Sequence, residues 1–293
     1  MKKKIFSVIV ILISIFIGLY NEVLQDTYSS SQPVNGEIID GILEVYFLNV
    51  GQADSILIKN NDEAMLIDPG NNEDGELISN YISSLNINEF KHVVGTHPHE
   101  DHIGGLDNII NDFKIDNILL PDAITTTKTF DEVLGALEIK NMKYEVPNIG
   151  DKVSLGDANI EIIYTGTDTS DLNNTSIVLR VDFGEVSFLF TGDATDKTEK
   201  LILDKNIDID ILKVGHHGSR YSTTLDFLNI VSPKYAIISV GENNSYNHPH
   251  DETIKKFNDN NIEIHRTDKE GTILITTDGK EININNIRTD LNG

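Results

Sequence analysis

The segment Thr96-His97-Pro98-His99-Glu100-Asp101-His102-Ile103-Gly104-Gly105-Leu106 constrains the fold more than any other stretch of this chain. The apolar run Val93-Val94-Gly95 before it reads as a strand, and residues 103–111 after it read as a helix. Alternate side chains of an extended segment share a face, so His97 and His99 can point at one metal. Asp101 and His102 sit where the chain turns into the helix and can address a second point nearby. Gly104 and Gly105 let the backbone turn tightly beneath these side chains. A polar surface loop is the plain alternative for any single histidine. Three His and one Asp within six residues at a strand-to-helix junction point instead to metal binding.

A pair of metals needs more ligands than that cluster holds. Thr191-Gly192-Asp193 closes the apolar run 186–191. An Asp there is expected either to bridge two metals through its carboxylate or to cap a helix starting at Thr195 or Asp196. The residues alone leave both open. Val214-Gly215-His216-His217-Gly218-Ser219 closes another strand-like run, 209–214, and offers His216 and His217. Adjacent residues diverge from a turn, so one of the pair is expected to bind metal. The other is expected to contact substrate or support the ligands. His248 and His250 precede a helical stretch and read most plainly as loop or cap residues, whereas His92 and His265, within strand-like runs, read as structural.

The remaining pattern is a β-rich chain with interspersed helices. Residues 42–49, 55–59, 63–68 and 118–120 read as strands, and 76–85 and 130–140 as helices. A second β-rich block follows at 153–155, 160–164, 176–182 and 186–191, with Phe183-Gly184 as a hairpin turn. Beyond it, strands at 209–214, 235–240, 262–265 and 272–275 alternate with helices at 225–230 and 253–260. The expected fold class is α/β (α+β), with two packed sheets flanked by helices.

Lys2-Lys3-Lys4 and the apolar residues 5–20 read as a targeting segment. As a helix the apolar run would span about 24 Å, short of the roughly 30 Å hydrocarbon core. Residues 1–20 are therefore expected to be a signal peptide or a short membrane anchor, 21–36 a linker, and 37–293 the functional domain. The positive flank predicts an extracellular domain, secreted or anchored on the outer face of the cytoplasmic membrane. The chain has no cysteine, which excludes disulfides and thiol catalysis. Its net charge of −24 disfavours a broad electrostatic footprint on nucleic acid or anionic lipid, so an anionic substrate needs a local attractor.

The arrangement H-x-H-x-D-H resembles the signature of metallo-β-lactamase-fold hydrolases. That resemblance implies a four-layer αββα sandwich, a bridging role for Asp193, and an Asp68 that orients the ligand loop by hydrogen bonds. The family usually places a further His between the first cluster and the bridging Asp, but none occurs from Ile103 to Gly215. The positional substitute is Asp171-Leu172-Asn173-Asn174-Thr175-Ser176, with Asn174 the residue expected to serve the site. The set Val50-Gly51-Gln52-Ala53-Asp54-Ser55, Leu66-Ile67-Asp68-Pro69-Gly70, Asn174-Thr175-Ser176, Lys213-Val214-Gly215-His216-His217-Gly218-Ser219 and Tyr246-Asn247-His248-Pro249-His250 is similar to one subgroup. It resembles the extracytoplasmic hydrolase domain of ComEC-type DNA-uptake proteins, over residues 41–277, with Ala53 where that subgroup commonly has Gly. By its place in the subgroup, His248 is expected to face the metals and to protonate a leaving group or bind a phosphate oxygen.

The expected metal ligands are thus His97, His99, Asp101, His102, Asp193 and one of His216 and His217. Asp101 and His248 are the expected catalytic residues, and Asp68, Asn174 and Ser219 support the site or contact substrate. Zinc, one or two ions, suits the His-rich set, and the Asp and Asn oxygens admit manganese. Such a centre suits in-line displacement at phosphorus. The expected function is an exported phosphodiesterase or nuclease acting on DNA, by resemblance. The alternatives are a cell-surface choline-phosphate esterase and a non-catalytic DNA-uptake accessory. Expected partners are nucleic acid or another phosphodiester, and the membrane through the leader if uncleaved; the sequence points to no protein partner.

Overall fold

The computed structural model describes residues 41–287. The leader over 1–20 and the linker over 21–36 lie outside the described residues. The first half of the chain runs β1 (Leu43–Phe47), β2 (Ile56–Asn60), β3 (Glu63–Ile67), α1 (Gly75–Ser84), β4 (Glu89–Val94), α2 (Glu100–Ile103), α3 (Leu106–Asp112), β5 (Lys114–Leu119) and α4 (Lys128–Lys140). The second runs β6 (Lys152–Leu155), β7 (Ala158–Tyr164), β8 (Val178–Phe183), β9 (Val186–Phe190), α5 (Asp196–Ile202), β10 (Ile211–Lys213), α6 (Leu225–Val231) and β11 (Tyr235–Ile238). It ends with α7 (Asp251–Asp259), β12 (Glu263–Arg266), α8 (Thr267–Glu270), β13 (Thr272–Thr277) and β14 (Ile282–Ile287).

Two seven-stranded sheets result, one ordered β14-β13-β1-β2-β3-β4-β5 and the other β12-β11-β10-β9-β8-β7-β6. Strand alternation decides which residues fill which layer. Leu43, Val45 and Phe47 of β1 face Val186, Phe188 and Phe190 of β9 in the core between the sheets. Tyr46 and Leu57 face outward, under Ile78 and Ile82 of α1, Ile109 of α3 and Val133 of α4. On the far side Leu189, Leu212 and Ile238 pack against Ile202 of α5, Phe227 of α6 and Phe257 of α7. Three apolar interfaces separate four layers, so the fold is the αββα sandwich, and the sheets are apolar on both faces because both are covered.

The structure differs from the sequence reading at two elements and decides between the two readings of Asp193. The stretch 103–111 is not one helix: α2 ends at Ile103 and α3 begins at Leu106, with Gly104 and Gly105 between them. Their φ values, −57° and −86°, are ordinary. What requires glycine is contact, since a Cβ on Gly104 would overlap the backbone of Asn71 and Asn72, and one on Gly105 would meet Pro69 O. The helix α5 is capped by Thr195, whose hydroxyl accepts from Lys197 N, so Asp193 is not the cap. The strand β14 adds an edge to the first sheet, paired with β13 from Thr272↔Ile287 to Thr277↔Ile282.

β3 and β4 run parallel in one sheet, and β9, β10 and β11 run parallel in the other. The loops leaving the carboxyl ends of β3, β4, β9, β10 and β11 carry Asp68, the histidine cluster, Asp193, the His216-His217 pair and His248. The topology therefore gathers residues distant in sequence at one end of the sandwich.

Candidate metal centre

Asp68 ends β3 in a left-handed conformation, φ 53°, and is fully buried. Its carboxylate accepts from Thr96 N at 2.7 Å, Thr96 Oγ1 at 2.7 Å and His102 Nδ1 at 2.8 Å. These bonds fix the start of the histidine loop and hold the His102 proton on Nδ1, leaving Nε2 aimed elsewhere. His217 is held in the same way: its Nδ1 donates to Ser239 O at 2.9 Å and lies 3.4 Å from Asp54 Oδ1.

The freed nitrogens converge with two carboxylates. His102 Nε2 lies 3.3 Å from Asp193 Oδ1 and 3.9 Å from Asp101 Oδ2, while His217 Nε2 lies 3.3 Å from Asp101 Oδ2 and 3.7 Å from Asp193 Oδ1. All four donor atoms lie within 4.8 Å of one another. Ligands about 2.0–2.1 Å from a tetrahedral ion sit about 3.3 Å apart, so the spacing suits a first-row dication. His102 Nε2, His217 Nε2 and Asp193 Oδ1 are buried with no hydrogen-bond partner. Buried polar atoms are costly to leave unserved, and an ion at this point would serve all three. The residues fit a divalent metal.

A second point lies beside the first. His97 is fully buried, and its Nε2 lies 3.0 Å from His99 Nδ1. Its ring centre is 4.1 Å from that of His102. Asp193 Oδ2 faces the other way from Oδ1, 3.6 Å from His216 Nε2. The sequence reading expected one of His216 and His217 to hold metal and the other to contact substrate or support the ligands; His217 joins the four-atom group, and His216 lines the cavity beside it. Two consecutive left-handed residues, φ 51° each, curl the chain here, and the two rings lie 6.4 Å apart at 70°.

Two expected supporting residues are placed otherwise. The Asn174 side-chain oxygen accepts from Thr195 Oγ1 at 2.5 Å and Thr198 Oγ1 at 3.2 Å, so it braces α5. The short helical turn Leu172–Thr175 sends Asn173 to the cavity instead, with its Oδ1 buried and without a partner. Ser219 is buried under the turn, where its hydroxyl accepts from Tyr221 N at 3.4 Å, and it does not line the cavity. Among the other histidines, His92 meets Ser154 O, His265 meets Glu270, and His250 Nδ1 accepts from Arg220 N, all away from the centre.

The sequence reading assigned no role to Asp54 or Lys213, and both lie beneath the centre. Lys213 Nζ sits 2.5 Å from Asp54 Oδ2, with both side chains about 1% exposed or less. Asp54 also donates its backbone N–H to Asp101 O. Asp54, Asp68 and His102 form a second acidic group, but its charge already meets Lys213 and the His102 Nδ1 proton. A lone lysine in the apolar run 209–214 was the available signal.

Electrostatics follow from this crowding. Burial alone would depress the His102 imidazole, but the carboxylates of Asp193, Asp68 and Asp101 outweigh it and hold the pKa well above 6.5. Burial likewise opposes His217, and Asp193 and Asp54 raise it. For His97, burial and the neighbouring His102 outweigh the pull of Asp193 and drive it well below 6.5. At the rim, burial and then His217, His216 and His250 push His248 down to about 4.

The centre opens into a cavity of about 310 Å³ bounded by Gln52, His99, Glu100, Asn173, Tyr246 and His248, together with the carboxylates and paired histidines already described. Residues 48–242 match the family model of the Metallo-beta-lactamase superfamily. The chain belongs to this superfamily. It is 32% identical over 196 residues to ComE operon protein 3 of Bacillus subtilis (strain 168), a match covering 66% of this chain and 25% of that protein. It is 40% identical over 106 residues to Competence protein ComA of Neisseria gonorrhoeae, covering 35% of this chain and 15% of that one. The chain therefore spans only about a quarter of the length of ComE operon protein 3. Among solved structures, the metallo-beta-lactamase fold protein YhfI from Bacillus subtilis superposes with a TM-score of 0.52 at 14% identity, over 78% of this chain and 96% of that chain. The sequence relatives agree with the ComEC-type resemblance carried by the motifs, and the structural one with the metallo-β-lactamase fold.

Proposed function

We propose that this metallo-β-lactamase superfamily hydrolase is a metal-dependent phosphodiesterase acting on nucleic acid. One observation carries the reading: Asp193 divides its carboxylate, with Oδ1 toward His102 and His217 and Oδ2 toward His216. A carboxylate so placed can be shared between two ions, the arrangement suited to in-line displacement at phosphorus.

Asp101, His102, His217 and Asp193 would hold one ion, and His97 and His99 a second, with the unpartnered Asn173 Oδ1 on the cavity that His99 also lines. Zinc is the favoured metal for this nitrogen-rich set, with manganese admitted by the carboxylates. When bound, such ions supply a water acidic enough to attack near neutral pH and stabilise charge developing on phosphorus. The chain's own residues do the positioning. Asp68 and Ser239 O fix the tautomers of His102 and His217. Asn173 and His216 line the substrate side. His248, with its pKa near 4, is neutral at pH 7, so it suits hydrogen bonding to a phosphoryl oxygen rather than proton delivery.

The basic leader and apolar residues 5–20 support placing this activity outside the cytoplasmic membrane. Among the described residues no helix is long and apolar enough to cross a membrane. The test is hydrolysis of bis-p-nitrophenyl phosphate by metal-supplemented protein, wild type against Asp193→Ala. The expected result is loss of turnover in the variant, and unchanged turnover would remove Asp193 from the reaction. For His248→Ala, equal losses with good and poor leaving groups are expected. A loss concentrated on poor leaving groups would assign proton delivery to it instead.

A further inference from the structure

One wall of the cavity has no role in holding metal. Tyr246 lines it, 62% exposed, with its ring stacked on His248 at a centroid distance of 5.7 Å and an interplanar angle of 22°. His248 in turn lies 5.5 Å from the His216 ring and 6.4 Å from that of His217, against which it stacks at 24°. A continuous file of rings therefore leads from the carboxylate-histidine centre to the rim. The loop bearing Tyr246 is braced. Asn244 Nδ2 donates to Gly241 O at 3.0 Å and His248 O at 2.6 Å, and Asn244 Oδ1 accepts from His248 N at 3.0 Å. Gly241 N donates to Gln52 Oε1 at 3.1 Å, tying the loop to the opposite side of the cavity.

The charge of the molecule says what such a wall is for. No lysine or arginine lines the cavity among the described residues, and the whole chain carries −24. A polyanion gains little here from backbone electrostatics, which ordinarily supply most non-specific affinity for nucleic acid. Beyond the one phosphate held at the metal centre, base stacking on an aromatic ring is the term that remains, and it tolerates every base because each presents a π face.

We propose that Tyr246, backed by His248, is a stacking subsite for the nucleobase adjacent to the phosphodiester presented at the Asp193 centre. This rests on the phosphodiesterase reading and narrows its substrate to nucleoside-bearing diesters. It also requires binding to depend only weakly on salt, because few phosphate contacts are made by cationic side chains.

The test uses the full chain with added zinc or manganese and compares kcat/KM for the p-nitrophenyl phosphate diester of thymidine with that for methyl p-nitrophenyl phosphate. The two share a leaving group and differ in the nucleoside, so the change in preference on removing the Tyr246 ring is what reports the base. Tyr246→Ala is expected to lower the preference for the thymidine ester about fivefold to 150-fold, the range set by stacking one base on one ring. Tyr246→Phe is expected to restore it. A preference unaltered in Tyr246→Ala overturns the proposal. So does a preference carried instead by p-nitrophenylphosphorylcholine, which would assign the ring to a quaternary ammonium.

A readout independent of turnover separates this from failure of the hydrolase reading. Fluorescence anisotropy of labelled oligothymidylate against its abasic analogue is expected to show weaker binding of the abasic strand. It is also expected to show a log–log salt slope shallower than about −2. Equal binding of the two strands overturns the stacking subsite, whether or not the esters are cleaved.

Discussion

Replacing Lys213 with methionine isolates the charge pair beneath the centre. Lys213 and Asp54 are both fully enclosed, 2.5 Å apart, so Lys213→Met leaves a buried carboxylate with only the more distant His217 and His102 ring nitrogens, at 3.4 and 3.8 Å, against it. Removing one partner of a buried pair costs about 3–5 kcal/mol, mostly from the stranded charge. A domain of roughly this size loses about 2–4 °C in Tm per kcal/mol, so calorimetry should find the transition lowered by about 6–20 °C. The double variant Asp54→Leu with Lys213→Met removes both charges and should recover most of that loss, because apolar replacement of a buried pair is often neutral. Metal affinity should not recover with it. The Asp54 carboxylate flanks His217 Nδ1, and loss of such support typically lowers affinity about 10–100-fold. A single variant melting within about 2 °C of wild type would refute the argument, since it would mean the Asp54 charge is served by something else.

Gly104→Ala should lower Tm sharply, because its Cβ overlaps the backbone of Asn71 and Asn72, which cannot swing aside as a side chain can; a melting curve like that of wild type would sink this packing account. Asn174→Ala should cost about 1–3 kcal/mol by stranding Thr195 and Thr198 without changing metal stoichiometry, while Asn173→Ala should leave Tm in place and reduce metal held beside His97 and His99. Denaturation and metal analysis of the two proteins should show these losses crossed over, and the reverse pattern would exchange their roles. In the metal-free protein the raised His102 pKa contributes stability that is full below its ordinary 6.5 and is lost as pH rises through the raised folded value. Metal must displace that proton, so calorimetric titration should find affinity rising with pH and protons released, and a pH-independent affinity would contradict the assignment.

How much of this was legible in the sequence depended on distance along the chain. The histidine cluster could be read directly because His97, His99, Asp101 and His102 are neighbours, and local backbone geometry alone brings them together. Asp54 and Lys213 could not, because their meeting requires both sheets to be docked, although each stood in a motif already noted. The choice between Asn173 and Asn174 was hidden for a different reason. A single helical turn sends adjacent side chains to opposite sides, and composition carries no sign of which goes where. Which of His216 and His217 joins the ligand group was hidden as well, because two consecutive left-handed residues, which composition does not announce, set where each ring points. The strand β14 escaped notice because its alternate positions are asparagine, which reads as turn, and only pairing with β13 makes it a strand.

The placement of β1 has a mechanical consequence. It is the first strand among the described residues, yet it lies inside its sheet, bonded to β2 on one side and β13 on the other. Tension applied through its amino end cannot peel it from an edge. It has to shear two ladders at once, which makes β1 a sturdy point for the fold to bear load.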